Sequence, residues 1–269
     1  MAFSKTDIHH LTNLACAAAD AAAVQTLAHF RTRGLVADNK HVQGFDPVTV
    51  ADRAAETAIR GVITAARPDD SILGEEEAGI DGTSGTTWVI DPIDGTRGFI
   101  SGTPTWGTLI AVGDVDGPQI GVVDQPYIGE RFIGTPDRAY MQRGGVETPL
   151  GVSACTDLSA AILFTTFPEV GTATDRMGFD GVGAQCKLVR YGMDCYAHAL
   201  VAAGHVDLVI EAGLAAYDVQ ASIALVRAAG GIATTWSGKN PANGGQMVLA
   251  ATPALHAAAL DILGPYADD

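Results

Sequence analysis

The sequence predicts an α/β protein in which a strand-rich first half with helices packed on it joins an α/β second half. Three observations carry this reading. Two helical patterns open the chain, and between residues 71 and 151 the texture turns to short apolar runs divided by Gly, Asp and Pro. Beyond residue 151 strand and helix patterns alternate, as crossover units of a largely parallel or mixed sheet require. With 269 residues, 47% of them apolar and 17% charged, the chain can build one compact body with a sizeable core, and disorder as its main state is excluded.

The first helix is expected over residues 7–33, where alanine dominates, Leu11, Leu14, Ala18 and Ala21/Ala22 share a face, and Gly34 stands ready to end it. A second, over residues 49–66, carries Ile59, Val62, Ile63 and Ala66 and is stopped by Pro68. Strands follow at 88–90, 106–112, 120–123, 131–133 and 139–143, and the Asp-Gly turn at 116–117 between apolar runs signals a hairpin. The second half reads as strands at 161–165, 186–190, 206–210, 232–235 and 247–250, with helices at 194–203, at 218–229 and from Pro253. Residues 1–150 thus form a helical-hairpin and antiparallel-sheet half and residues 151–269 an α/β half of one compact unit, with no linker between them.

Charge narrows the partners. Sixteen Lys and Arg against 31 Asp and Glu leave a net charge of -15, a field that repels nucleic acid and anionic membranes. The four cysteines show no CxxC spacing and read as reduced thiols. With no leader-like N-terminus and no apolar stretch long enough to span a bilayer, the expected location is the cytoplasm.

Chemistry concentrates in acidic residues. Within Trp88-Val-Ile-Asp-Pro-Ile-Asp-Gly-Thr, an apolar strand delivers Asp91, Pro92 ends the pairing, and Asp94 follows three positions on. Gly95 permits a tight turn in which the amides of Gly95 and Thr96 could cradle an anion, although an ordinary Asx turn explains the same residues equally well. Glu75, Glu76 and Glu77 after Gly74 could be a solvated face; Asp218 could be a helix N-cap; Asp52 fits the first-turn acid of a Thr-x-x-Asp capping box. If the chain handles phosphate, so many acids would repel it unless divalent cations intervened, and all-oxygen ligands select Mg²⁺ or Mn²⁺. Two such ions about 3.5–4 Å apart generate a nucleophile and stabilise a leaving oxygen.

In order and type these residues resemble the inositol monophosphatase superfamily of Mg²⁺-dependent, Li⁺-sensitive phosphatases: Asp52, then Gly74-Glu75-Glu76, then WVIDPIDGT at 88–96, then Tyr217-Asp218 opening a helix that closes on AGG at 229–231. Tyr217 stands where Trp is commoner. The resemblance covers nearly the whole chain and implies a layered αβαβα sandwich. It implies that Glu75, Asp91 and the Ile93 carbonyl hold one metal and Asp91, Asp94 and Asp218 a second, with two or three Mg²⁺ per site and Mn²⁺ as a substitute. Catalysis would rest on Glu75 and on Thr96 with Asp52, which orient the attacking water, while the Gly95 and Thr96 amides receive phosphate. A homodimer is also implied.

Residues 97–111, 121–134 and 191–218 resemble the histidinol-phosphate phosphatase branch in particular. Asp194 and Glu211 would then read the alcohol part of the substrate, since two acids suit a cationic amine or imidazole. Met193 in place of a Gly and Ala215-Ala216 in place of a Lys-Pro pair depart from that branch without touching the metal ligands. The expected substrate is histidinol phosphate, with an inositol or sugar phosphate as the alternative. A non-catalytic cation or phosphometabolite binder is the more distant one, and it would have no need of the Thr96–Asp52 pair.

Overall fold

A computed structural model describes residues 3–39 and 47–268. Helix α1 (Lys5–His29) opens in a capping box: the Asp7 amide donates to Ser4 Oγ at 3.2 Å and the Ser4 amide to Asp7 Oδ2 at 3.1 Å. It stops four residues short of the expected end because Phe30 turns to extended backbone and joins a ring cluster with Phe99 and Trp106; Gly34, at φ +86°, serves the following turn instead. Strands β1 (Ala37–Asn39) and β2 (Pro47–Thr49) pair antiparallel and feed α2 (Val50–Ala66). The inward stripe of α1 is small, with Ala15, Ala18, Ala19 and Ala22 fully buried, so α2 packs closely through Ala55, Ile59 and Ile63. Ala66, expected on that face, is exposed at the helix end.

The first half continues through β3 (Ser71–Gly74), β4 (Thr87–Asp94), the short α3 (Thr96–Ser101), β5 (Gly107–Asp114), β6 (Gly117–Gln125), β7 (Glu130–Thr135), β8 (Arg138–Arg143) and β9 (Val146–Pro149). These seven strands form one sheet in sequence order, antiparallel except for β3 beside β4. In the second half, β10 (Ile162–Thr165), α4 (Ala173–Gly183), β11 (Leu188–Tyr191), α5 (Asp194–Ala202), β12 (Leu208–Leu214), α6 (Ala216–Ala228), β13 (Ile232–Thr234), β14 (Gly245–Ala250) and α7 (Pro253–Leu263) follow. The second sheet has the order β11-β10-β12-β14-β13 and is mixed: β10 runs parallel to β11 and β12, while β14 is antiparallel to its neighbours.

Side-chain alternation stacks the layers. Ile110 and Val112 of β5 face α1 and α2, whereas Leu109 and Ala111 face α5 and α6. Phe164, Val209 and Leu249 of the second sheet pack on that same middle helical layer, and Leu163, Leu208 and Val248 pack on α4 and α7. The result is the five-layer αβαβα sandwich. Helix α4 escapes the sequence pattern because Gly178, Gly181 and Gly183 dilute it, although Thr172 and Asp175 form its capping box. The glycines admit close neighbours: a Cβ on Gly178 would lie 3.0 Å from the Trp236 ring and one on Gly181 2.9 Å from Ile262. No helix among the described residues is long and apolar enough to cross a membrane.

Candidate active site

The acids converge at the ends of strands from both sheets. Pairing of β4 with β5 does not stop at Pro92 as expected; it bulges between Asp91 and Asp94 and resumes at Gly107. The bulge is satisfied locally, since Thr108 Oγ1 donates to the Pro92 carbonyl at 2.8 Å and the Ile93 amide to Asp91 Oδ1 at 3.0 Å. Both Asp91 and Asp94 therefore face the same cavity, and Asp218 enters it from the first turn of α6. One carboxylate oxygen of each of these three residues lies within 4.8 Å of the others. Asp218 is not the N-cap of α6; it sits three residues inside, and its Oδ2 accepts the Ala215 amide at 2.6 Å.

Glu75 follows β3, whose parallel register sets Gly74 beside Ile90 and so brings Glu75 next to Asp91, to which it hydrogen-bonds. The loop is pinned from below. Buried Glu56 accepts the amides of Glu76 and Glu77 at 2.7 and 3.1 Å and pairs with Arg60 at 2.7 Å. Gly74 is required there, because a Cβ would fall 2.1 Å from Glu56 Oε1. Asp52 is fully buried and works with both oxygens: Oδ2 accepts the Thr49 amide and hydroxyl at 2.8 and 2.6 Å, and Oδ1 accepts the Thr96 hydroxyl at 3.3 Å. That hydroxyl also lies 3.1 Å from the Ile93 carbonyl.

Gly95, at φ +83°, starts α3, and a Cβ there would lie 2.7 Å from Asp194 Cγ. Left-handed backbone and close approach both demand glycine. Asp194 opens α5 at φ +46°, and its Oδ2 accepts from Thr105 Oγ1 at 2.8 Å. Glu211, on β12, faces the same space; its Oε1 takes the Thr166 amide and hydroxyl at 3.1 and 2.7 Å. All the expected residues except Asp52 line one cavity of about 480 Å³, with Asp52 reaching it through Thr96. Thr105, Thr166, Ser222 and His198 belong to the site and were not singled out from the sequence. His198 falls one helical turn after Asp194, a spacing that could have revealed it.

Crowded acids deprived of water resist ionisation. Burial, then the charges of Glu75, Asp94 and Asp218, hold Asp91 well above the usual carboxylate range. Burial and then Asp194 and Asp218 push Asp94 up to about 8, although the Cys195 amide donates to it at 2.7 Å. Burial also raises Asp218 to about 6. For His198, burial disfavours the cation, but Glu211 and then Asp94 outweigh it and set the imidazole above its ordinary value. A set of oxygen donors whose charges repel one another fits hard divalent cations, which would remove that repulsion. Asp91, Asp94 and Asp218 are the carboxylates close enough together to share one such ion, with Glu75 beside Asp91 on the same cavity.

The sequence pattern of the inositol monophosphatase family matches residues 7–264. The chain is 37% identical over 238 residues to the bifunctional phosphatase IMPL2, chloroplastic, of Arabidopsis thaliana, covering 88% of this chain and 67% of that one. It is 35% identical to a histidinol-phosphatase of Chlorobaculum parvum, over 90% of this chain and 92% of that one. Among solved structures, an inositol monophosphatase from Zymomonas mobilis superposes with a TM-score of 0.82 at 34% identity, covering 95% and 98% of the two chains. Fold, acid cluster and relatives agree: the chain belongs to the inositol monophosphatase family of phosphatases, in its histidinol-phosphatase branch.

Proposed function

We propose that the chain is a Mg²⁺-dependent phosphomonoesterase whose preferred substrate is histidinol phosphate. The observation that carries this reading is a single cavity lined by the metal-type acids Asp91, Asp94 and Asp218 and, beside them, by two further acids, Asp194 and Glu211. Glu75, Asp91, Asp94, Asp218 and the Ile93 carbonyl would hold two or three Mg²⁺, for which Mn²⁺ can substitute. Bound divalent ions supply a water of lowered pKa and neutralise charge on the ester. The protein's own part is placement. Thr96, whose hydroxyl donates to Asp52 or to the Ile93 carbonyl, offers its lone pairs to a water and so aims it, while Asp52 is locked by Thr49. The Gly95 and Thr96 amides at the start of α3 receive the phosphate. Asp194 and Glu211 take the cationic part of the alcohol through charge-assisted hydrogen bonds.

Inositol phosphate is the second reading, favoured by the likeness to the Zymomonas inositol monophosphatase. A non-catalytic binder fits less well, because the Thr96–Asp52 bond serves no purpose in it. Sensitivity to Li⁺, a homodimer and a cytoplasmic location go with the leading reading. The test is phosphate release from histidinol phosphate and inositol 1-phosphate, each with Mg²⁺ and with excess chelator. Turnover that prefers inositol 1-phosphate rejects the substrate, and turnover in chelator rejects the metal.

A further inference from the structure

We propose that the Nε2–H of His198 is a specificity-determining contact that reads a lone-pair acceptor in the alcohol part of the substrate, beside the donor taken by Glu211. The inference deepens the phosphatase reading and rests on it. His198 lies on α5, is 2% exposed, and lines the cavity. Its Nδ1 is 2.8 Å from the hydroxyl of Ser222, a fully buried residue of α6. Among the described residues that hydroxyl meets no other acceptor, so its proton goes to Nδ1 and a neutral ring carries hydrogen on Nε2. An imidazolium carries it there as well. In either state Nε2 is a donor.

That nitrogen is shielded from solvent and has no partner at ordinary hydrogen-bond distance among the described residues; its nearest polar neighbour is the Glu211 carboxylate, with which it forms an ion pair when the ring is charged. Glu211 Oε2 stands 3.6 Å away, beyond a direct hydrogen bond, and Oε1 of the same carboxylate is already engaged by Thr166. A buried donor left unmade is costly, and the pair of a free N–H and a carboxylate oxygen makes a two-pronged reader. A single hydroxyl satisfies both prongs, accepting from Nε2 and donating to Oε2. A molecule that carries an ammonium near an imine-type nitrogen satisfies them with two atoms. A bare ammonium satisfies only Glu211, having no lone pair to offer. The site is thereby matched to polyol phosphates and to amino-imidazole phosphates, and mismatched to simple aminoalkyl phosphates.

Two matched substrate pairs test this on the full chain with Mg²⁺ at about pH 8, where a free imidazole is neutral. Histidinol phosphate is compared with phenylalaninol phosphate, which keeps the ammonium but lacks the imine nitrogen. Inositol 1-phosphate is compared with cyclohexyl phosphate, which lacks the hydroxyls. In at least one pair the wild type should favour the first member in kcat/KM by about tenfold or more, the factor that about 1.4 kcal/mol supplies. His198→Leu should shrink that ratio to about twofold or less, and His198→Gln, which keeps an N–H, should retain most of it. Ser222→Ala, which frees Nδ1 to take the proton, should reduce it in part. A ratio that survives His198→Leu overturns the inference while leaving the phosphatase intact. A wild type that ignores histidinol phosphate but discriminates in the inositol pair overturns only the histidinol reading, and inactivity on both pairs overturns both. A purely structural His198 would lower all four activities in proportion and leave both ratios unchanged.

Discussion

Replacing Asp94 by Asn should stabilise the metal-free protein while removing most of its turnover. Asp94 is raised from 3.8 to about 8 by burial and by the charges of Asp194 and Asp218, whereas the unfolded chain keeps the ordinary value. For a carboxyl raised in the folded state, stability present below about pH 4 is lost as the pH climbs toward the folded value. At 1.36 kcal/mol per unit, the cost is on the order of 4 kcal/mol at about pH 7 and under about 2 kcal/mol at about pH 5. Asn resembles the protonated acid, carries no charge to suppress, and can still accept the Cys195 amide through its carbonyl. Urea unfolding in excess chelator should therefore show the variant more stable than wild type, by a margin that widens from about pH 5 to about pH 7. Adding Mg²⁺ should narrow or reverse the margin, because the ion stabilises the state that binds it best. A variant less stable than wild type at both pH values in chelator, or a margin flat with pH, would refute the reasoning.

Excess chelator should abolish phosphate release and added Mg²⁺ restore it; full turnover without divalent ions would remove the metal from the site. Thr96→Val keeps the side-chain shape but deletes the hydroxyl between Asp52 and Ile93, so kcat should fall by about 10²-fold or more with KM little changed. Asp194→Asn should lower kcat/KM for histidinol phosphate several-fold more than for inositol 1-phosphate, because only the first offers a cation; equal losses would count against the substrate. Arg60→Met leaves Glu56 buried without its cation and should cost about 3–5 kcal/mol in thermal or urea unfolding, with metal affinity falling as the Glu75 loop loosens.

The cluster of Asp91, Asp94 and Asp218 was legible because each of its parts is written in a short local pattern. Asp-Pro-Ile-Asp-Gly at the end of an apolar run marks two acids for one strand end, although the bulge that turns both to the same side is set by pairing with β5, and the capping box at Thr49 and Asp52 announces a helix start. Asp52 makes both its capping contact with Thr49 and a contact with Thr96, because each uses a different oxygen. The surroundings of Asp194 and Glu211 were less legible. Thr105 meets Asp194 across 89 residues and Thr166 meets Glu211 across 45, and those meetings are fixed by the placement of β10 beside β12 and of α5 against β5. No local periodicity encodes such pairings. The same reason hid the Ser222–His198 bond, which joins two helices 24 residues apart.

Helices α5 and α6 lie between two sheets and are therefore pressed on both sides, so their sequences are apolar nearly all round. A polar side chain in such a layer is expensive unless something meets it. Asp194, His198, Ser222 and Asp218 are nevertheless all on these helices, and all are close to the cavity end. Thr105 and the Ala215 amide meet Asp194 and Asp218 in part, and Ser222 meets one nitrogen of His198. What stays short of a full partner is one shielded imidazole nitrogen, 3.6 Å from Glu211, and what stays uncompensated is the mutual repulsion of the acids. A core layer that tolerates this much uncompensated polarity at one end only is best explained by ligands that complete it: cations for the acids, and a substrate acceptor for the imidazole.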